Sequence, residues 1–240
     1  MIMMNYFIQN TQTIYNMLLT ILICSHSVND FYDDLLVRSL QSLKNQTYKQ
    51  FKVVLVLDEC WKNTKNLVES LDYGLNIKIV ERPKKEGLSF AKNYGLGYVD
   101  TEWVGFLDSD DLYEPKKIET QIDYITSNEV DFLGTKAWYI DSLNETDKYP
   151  NLDDRGRLSI IEQDLNETHE QIIEKIYQKN VLTHGSMIVR KSCIDSLGGY
   201  RDVKGMEDWD LWKRGFDSGF RFYQIQDKLY SYRLNTSVPL

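Results

Sequence analysis

Cysteine is scarce in this chain, and what there is forms no pattern. Cys24, Cys60 and Cys193 are odd in number and far apart, with no CxxC pair and no His/Cys spacing suited to zinc. This excludes a disulfide framework and a structural zinc site, and it implies a reducing compartment. Positive charge is also short. The 28 Lys and Arg against 36 Asp and Glu leave a net charge of −8, which argues against broad binding to a nucleic-acid backbone. No apolar run is long enough to cross a membrane. The stretch from Met17 to Cys24 is far too short, and no basic segment precedes it as in a signal peptide. The expectation is a cytoplasmic protein without a transmembrane segment, with peripheral contact to a membrane left open. GxGxxG, GxxxxGK(S/T) and GxSxG are absent, and Gly95-Leu96-Gly97 is too weak to count. His26, His169 and His184 stand isolated, and a hydrogen-bonded structural role is the expectation for His184. There is no internal repeat and no low-complexity tract.

What remains is enough for a core: 240 residues, 42% apolar and 12% aromatic. Short apolar runs at Leu18–Cys24, Phe51–Leu57, Ile77–Val80 and Trp103–Leu107 read as buried strands. Between them lie helical patterns. The first is capped by Ser27 or Asn29 and runs to about Lys44, with Leu35, Leu36, Leu40 and Leu43 on one face. A polar helix near 62–71 and another over 88–98 follow. This alternation predicts an α/β fold with a mostly parallel sheet and helices on both faces. After Asp111 the rhythm changes: a helix over 115–127, a strand over 131–140, a polar loop over 141–167, a helix over 169–179 and a strand over 186–190. An amphipathic helix over 207–218 places Trp209, Trp212 and Phe216 on one face. Arg221–Tyr223 and Lys228–Tyr232 are expected as two closing strands. No linker composition separates the halves, so 1–240 is read as one domain with two lobes.

The chain is organised around Trp103-Val104-Gly105-Phe106-Leu107-Asp108-Ser109-Asp110-Asp111. An apolar strand ends in three carboxylates, at the edge where open α/β sheets place ligands. Like charges this close repel, so a cation or strong donor is expected among them. Hard oxygen ligands suit Mg²⁺ or Mn²⁺, with a substrate phosphate completing the shell. The bland alternative is an acidic turn capping a helix. A second acidic cluster, Glu207-Asp208-Trp209-Asp210, opens a helix; it suits a general base or ordinary first-turn acid placement. Arg82, Lys84, Lys85 and Lys92 reverse the local sign and could hold a diphosphate, or simply coat a solvated loop. Asp58, at the end of the second strand, could accept from a base or ribose.

The order of these motifs resembles the family 2 glycosyltransferases, which share the GT-A fold, over nearly everything from Thr20 to Val238. Ser39-Leu40-Gln41-Ser42-Leu43-Lys44-Asn45-Gln46-Thr47-Tyr48 is similar to that family's first helix and exit turn. Gly87-Leu88-Ser89-Phe90-Ala91-Lys92-Asn93-Tyr94-Gly95 resembles its G-x-x-x-A-R-N-x-G stretch, with Lys92 for Arg. Phe106-Leu107-Asp108-Ser109-Asp110-Asp111 resembles its metal-binding DxD motif. Gly198-Gly199-Tyr200 with Glu207-Asp208-Trp209-Asp210 resembles its catalytic-base region, and Tyr232-Arg233 its C-terminal Y-R-x-H segment. Two departures are Asp58-Glu59-Cys60 where Asp-Asp-x-Ser is usual, and Asn235 where many members have His.

The resemblance implies a donor-binding half at 18–111, a smaller acceptor-side half at 112–240, and inverting transfer from a UDP-sugar to an acceptor hydroxyl. It implies Asp208 as catalytic base and Asp108 and Asp110 as ligands of Mn²⁺ or Mg²⁺. Ser25, Asp58, Arg82, Lys92, Asp108 and Ser109 would contact the donor. The acceptor would be a saccharide, a lipid-linked sugar or another hydroxyl compound. Two other readings compete: a sugar-nucleotide nucleotidyltransferase and a silent GT-A binding module. The first needs a Gly-rich loop where this chain has Ser25-His26-Ser27-Val28-Asn29, and the second is disfavoured by the DxD motif together with Asp208.

Overall fold

A computed structural model describes residues 18–60, 63–141, 157–158 and 168–234. The described residues begin with β1 (Leu19–Ser25), α1 (Asp30–Lys44), β2 (Phe51–Asp58), α2 (Thr64–Ser70), β3 (Asn76–Arg82), α3 (Leu88–Leu96) and β4 (Trp103–Phe106). A short β5 (Leu112–Tyr113) follows, then α4 (Lys117–Ser127), β6 (Phe132–Asp141) and β7 (Arg157–Leu158). The described residues close with α5 (His169–Ile176), a 3₁₀ turn (His184–Ser186), β8 (Ile188–Arg190), α6 (Lys191–Ser196), α7 (Glu207–Asp217) and β9 (Phe222–Leu234).

Nine strands form one sheet in the order β3-β2-β1-β4-β8-β6-β9-β5, with β7 on β6. The first four are parallel. Beyond β4 the pairing is mixed: β8 runs antiparallel to β4 and β6, while β9 runs parallel to β6. Strands covered on both faces need apolar residues at successive positions, and β1 and β2 have them. Leu19, Ile21 and Ile23 enter one apolar layer beneath α1 and α4. Leu22, Val54 and Val56 enter the other, with Ala91 and Leu96 of α3 and Leu211, Trp212 and Phe216 of α7. The period of two thus divides one sheet between two cores. Asn29 caps α1, accepting from the Tyr32 amide, and Leu35, Leu36, Leu40 and Leu43 are buried as expected. Gly95 lets α3 lie directly on the sheet, since a Cβ there would fall 2.4 Å from Leu22 Cδ1.

The structure corrects the sequence reading in several places. The two closing strands are one, β9, whose pairing with β6 shifts register on either side of Lys136. Extra residues at such a shift break the alternation that a strand pattern relies on. The segment after β8 is helical (α6), and the acidic turn leads into a two-residue strand before α4. Of the polar loop at 141–167, only 157–158 is described beyond the end of β6, paired with Tyr139–Ile140. The remainder of that loop and Asn235 lie outside the described residues.

A lysine sits inside the core. Lys117 is fully buried, with Nζ 2.6 Å from Gln121 Oε1 and 3.9 Å from the Tyr113 ring centroid. Burial holds its ammonium well below the usual lysine range. Between that lowered value and about 10.4, the unfolded chain binds a proton the folded protein does not. The penalty is full below the folded value and fades as pH rises through the window, so stability should rise with pH there. Lys117→Met keeps the stem and removes the penalty. Urea midpoints from about pH 6 to about pH 10 should be higher for the variant at neutral pH and converge at the alkaline end.

Candidate active site

The acidic turn divides its labour. Asp111, 1% exposed, faces inward and is satisfied by the protein: its carboxylate accepts from the Tyr230 hydroxyl at 2.5 Å and the Arg233 amide at 2.6 Å. Ser39 Oγ donates to the Asp111 carbonyl at 2.6 Å, and Arg233 Nε donates to the Asp110 carbonyl at 2.6 Å. Asp111 therefore fastens β9 and α1 to the turn, and protein donors meet the charge at this one of the three carboxylates. Asp108, Ser109 and Asp110 border a cavity of about 830 Å³, together with Lys92, His184, Glu207, Asp208 and Tyr232. Burial pushes Asp108 up to about 6, with Asp110, Asp208 and Glu207 adding to the shift and Lys92 opposing it. A carboxylate so crowded gains most from a cation. Among the described residues, no three His, Cys, Asp or Glu side chains converge as a metal cage. Two carboxylates with open positions for phosphate oxygens and water remain a fit for Mg²⁺ or Mn²⁺.

The opposite wall comes from α3 and the start of α7. Lys92, 3% exposed, pairs through Nζ with Glu207 Oε1 at 2.9 Å and lies 5.2 Å from the Tyr200 ring centroid. Asp210 pairs with Arg214 at 2.7 Å, and Arg214 also donates to the carbonyls of Leu197 and Gly199. With Glu207 and Asp210 committed to cations, Asp208 is the acid that faces the cavity held by an amide, accepting from Asn180 Nδ2 at 2.9 Å. Burial raises the Asp208 pKa, opposed by the Trp209 amide, Lys92 and Asn180. A raised value makes a better proton acceptor than an ordinary aspartate. Beneath it, Trp212 and Phe216 are buried, and Trp209 Nε1 donates to the Ile176 carbonyl.

Three expected donor residues lie apart from this cavity's lining. Arg82 forms a buried pair with Asp58 at 3.0 Å and reaches Glu86 at 2.8 Å. Burial raises the Asp58 pKa, against the pull of Arg82. Ser25 is buried at the end of β1, where its carbonyl accepts from the Cys60 thiol at 3.0 Å. All three stand at the C-terminal ends of parallel strands, with Asp58 directly opposite Arg82. Sequence reasoning missed Asn180, a lone polar residue in a loop with no motif around it. His184, expected to be structural and hydrogen-bonded, has its ring 4.4 Å from the Phe106 centroid and its Nε2 2.9 Å from the Tyr200 hydroxyl. Burial, with Lys92 nearby, holds His184 well below the usual histidine range, so it is neutral.

Known proteins resemble the chain along most of its length. It is 26% identical over 211 residues to the O-antigen biosynthesis glycosyltransferase WbnJ of Escherichia coli, covering 85% of this chain and 76% of that one. It is 25% identical over 202 residues to the E. coli UDP-Gal:alpha-D-GlcNAc-diphosphoundecaprenol beta-1,3-galactosyltransferase, covering 83% and 69%. Among solved structures, S. aureus TarS in complex with UDP-GlcNAc superposes with a TM-score of 0.72 at 18% identity, over 92% of this chain and 59% of that one. The mannosyltransferase PcManGT of Pyrobaculum calidifontis, in complex with GDP-Man and Mn²⁺, gives 0.63 at 16%, over 89% and 56%. The chain thus spans under two thirds of these structural neighbours, and at such identity they show the shared GT-A fold. Residues 20–198 match the profile of the family described as Glycosyl transferase family 2, and the chain belongs to that family of glycosyltransferases.

Proposed function

We propose that the protein transfers a sugar from a UDP-sugar to an acceptor hydroxyl by single displacement with inversion. The observation that carries this reading is the convergence of Asp108, Asp110, Lys92 and Asp208 on one cavity. The donor diphosphate lies along the wall of Asp108, Ser109 and Asp110. Lys92, with two N–H groups beyond its bond to Glu207, steadies a phosphate oxygen. The Asp58–Arg82 end of the sheet takes the uridine. Asp108 and Asp110 would hold Mn²⁺ or Mg²⁺, which would supply charge neutralisation for the leaving diphosphate. Asp208 accepts the proton of the acceptor hydroxyl as that oxygen attacks the anomeric carbon. The relative that uses a diphosphoundecaprenol-linked sugar supports a saccharide or lipid-linked acceptor. No helix among the described residues is long and apolar enough to cross a membrane; a cytoplasmic enzyme would reach a lipid-linked acceptor by peripheral contact. Membership of the glycosyltransferase family sets the nucleotidyltransferase reading aside.

UDP binding should depend on divalent metal. Calorimetry with Mn²⁺ should give at least about tenfold tighter binding than with chelator, because the Asp108 and Asp110 carboxylates would otherwise repel the diphosphate. Equal affinity in both conditions would remove the metal from the account.

Asp208→Asn should keep the fold and UDP affinity and lose transfer. Asn still suits a helix start and still meets Asn180, so the melting temperature should barely move. A general base contributes on the order of a hundredfold to ten-thousandfold, which is the expected fall in turnover. Near-normal turnover in this variant would leave Asp208 as a helix-end acid and nothing more.

A further inference from the structure

His184 has one nitrogen with no partner. Its Nδ1 is fully shielded from solvent and makes no hydrogen bond, in a residue only 8% exposed. Buried polar atoms are satisfied in the great majority of folded structures, so an orphan on a cavity wall calls for a ligand or a movement. The nearest charge is Asp108: its Oδ1 lies 3.8 Å from Nδ1, beyond hydrogen-bond range of about 3 Å. The ring itself is fixed. It lies against Phe106 and Trp212, at centroid distances of 4.4 and 6.0 Å, and its Nε2 meets the Tyr200 hydroxyl at 2.9 Å.

The tautomer follows from these neighbours. A neutral imidazole carries one proton. With that proton on Nε2, a bare nitrogen lone pair would face the Asp108 carboxylate. With it on Nδ1, Tyr200 donates to Nε2 and an N–H points at Asp108. The second arrangement is the favourable one. Asp108 has a further neighbour, the Tyr230 hydroxyl at 3.5 Å from Oδ2, but that hydroxyl is engaged with Asp111 at 2.5 Å.

We infer that His184 is the positioning residue for Asp108: Oδ1 closes on the fixed Nδ1–H when metal and nucleotide enter, which sets the carboxylate for the cation. Donors behind metal-binding carboxylates and imidazoles typically govern metal affinity by about 10- to 100-fold. Tyr200 fixes the tautomer, and so connects the Gly-Gly-Tyr segment to the acidic turn. The inference rests on the metal role of Asp108 proposed above.

Two substitutions separate the ring's nitrogens. In His184→Asn the amide nitrogen falls near the position of Nδ1. In His184→Gln it reaches toward Nε2 and Tyr200 and leaves Asp108 without a donor. Mn²⁺ affinity in the presence of UDP, read by calorimetry on the full chain, should fall about tenfold or more in the Gln variant. It should stay within about threefold of wild type in the Asn variant. UDP affinity with chelator and the melting temperature serve as controls and should match between the two. Equal affinities in all three proteins, or equal losses in both variants, would overturn the positioning role. If the wild type itself binds UDP without regard to Mn²⁺, the metal reading falls and takes this inference with it. A metal-dependent wild type with matching variants sinks the inference alone.

Discussion

The buried pair of Lys92 and Glu207 is the contact on which the site depends. It joins α3, beside the parallel strands, to the first residue of α7, 115 positions later. Both side chains are nearly withdrawn from water, at 4% and 10% exposure. Removing one partner of such a pair typically costs about 3–5 kcal/mol, because a charge is left stranded. The neutral contacts around it repeat the same connection. Asn93 exchanges two hydrogen bonds with the backbone of Tyr200, each 2.8 Å, and Ser89 donates to the Arg201 carbonyl at 2.9 Å. The start of α7 is thereby fixed over the C-terminal end of the sheet, and Asp208 inherits its place from Glu207 beside it.

A second fastening works from the other side. Asp111 holds β9 through Tyr230 and Arg233, and the same strand sits beneath the 3₁₀ turn that carries His184. Gly185 makes that fit possible, since a Cβ there would fall within 1.8 Å of the Tyr230 hydroxyl. The carboxylates of Asp108 and Asp110 and that of Asp208 thus hang from separate anchors, Asp111 and Glu207. Each anchor uses its own acid to free a neighbour: Asp111 is consumed so that Asp108 and Asp110 face the cavity, and Glu207 so that Asp208 does.

That division explains what the sequence made legible. The strands of the donor half were readable because alternate positions serve two cores, so almost every residue of Leu19–Leu22 and Val53–Val56 is apolar. The acidic turn and the α7 cluster were readable as charge concentrated at element ends. Which acid does what was not. The partners of Asp111 lie 119 and 122 residues away, and nothing local separates it from Asp110. Arg82 and Lys92 looked alike as cations near strand ends, but one is taken up by Asp58 and the other by Glu207. His184 was expected to be a satisfied core histidine. One of its nitrogens is satisfied and the other is not, a distinction only geometry supplies. The unity of β9 was hidden by the register shift opposite Lys136.

The central claim is that one carboxylate, Asp208, activates an oxygen for direct attack on a sugar held across the cavity from it. The stereochemistry of the first product tests this without knowledge of the natural acceptor. With Mn²⁺ and an α-configured UDP-sugar, water should take the acceptor's place at a slow rate. Proton NMR during the first turnovers should then show the β-anomer of the free sugar appearing first, before mutarotation. Initial release of the α-anomer would mean retention, and would contradict a single displacement driven by Asp208.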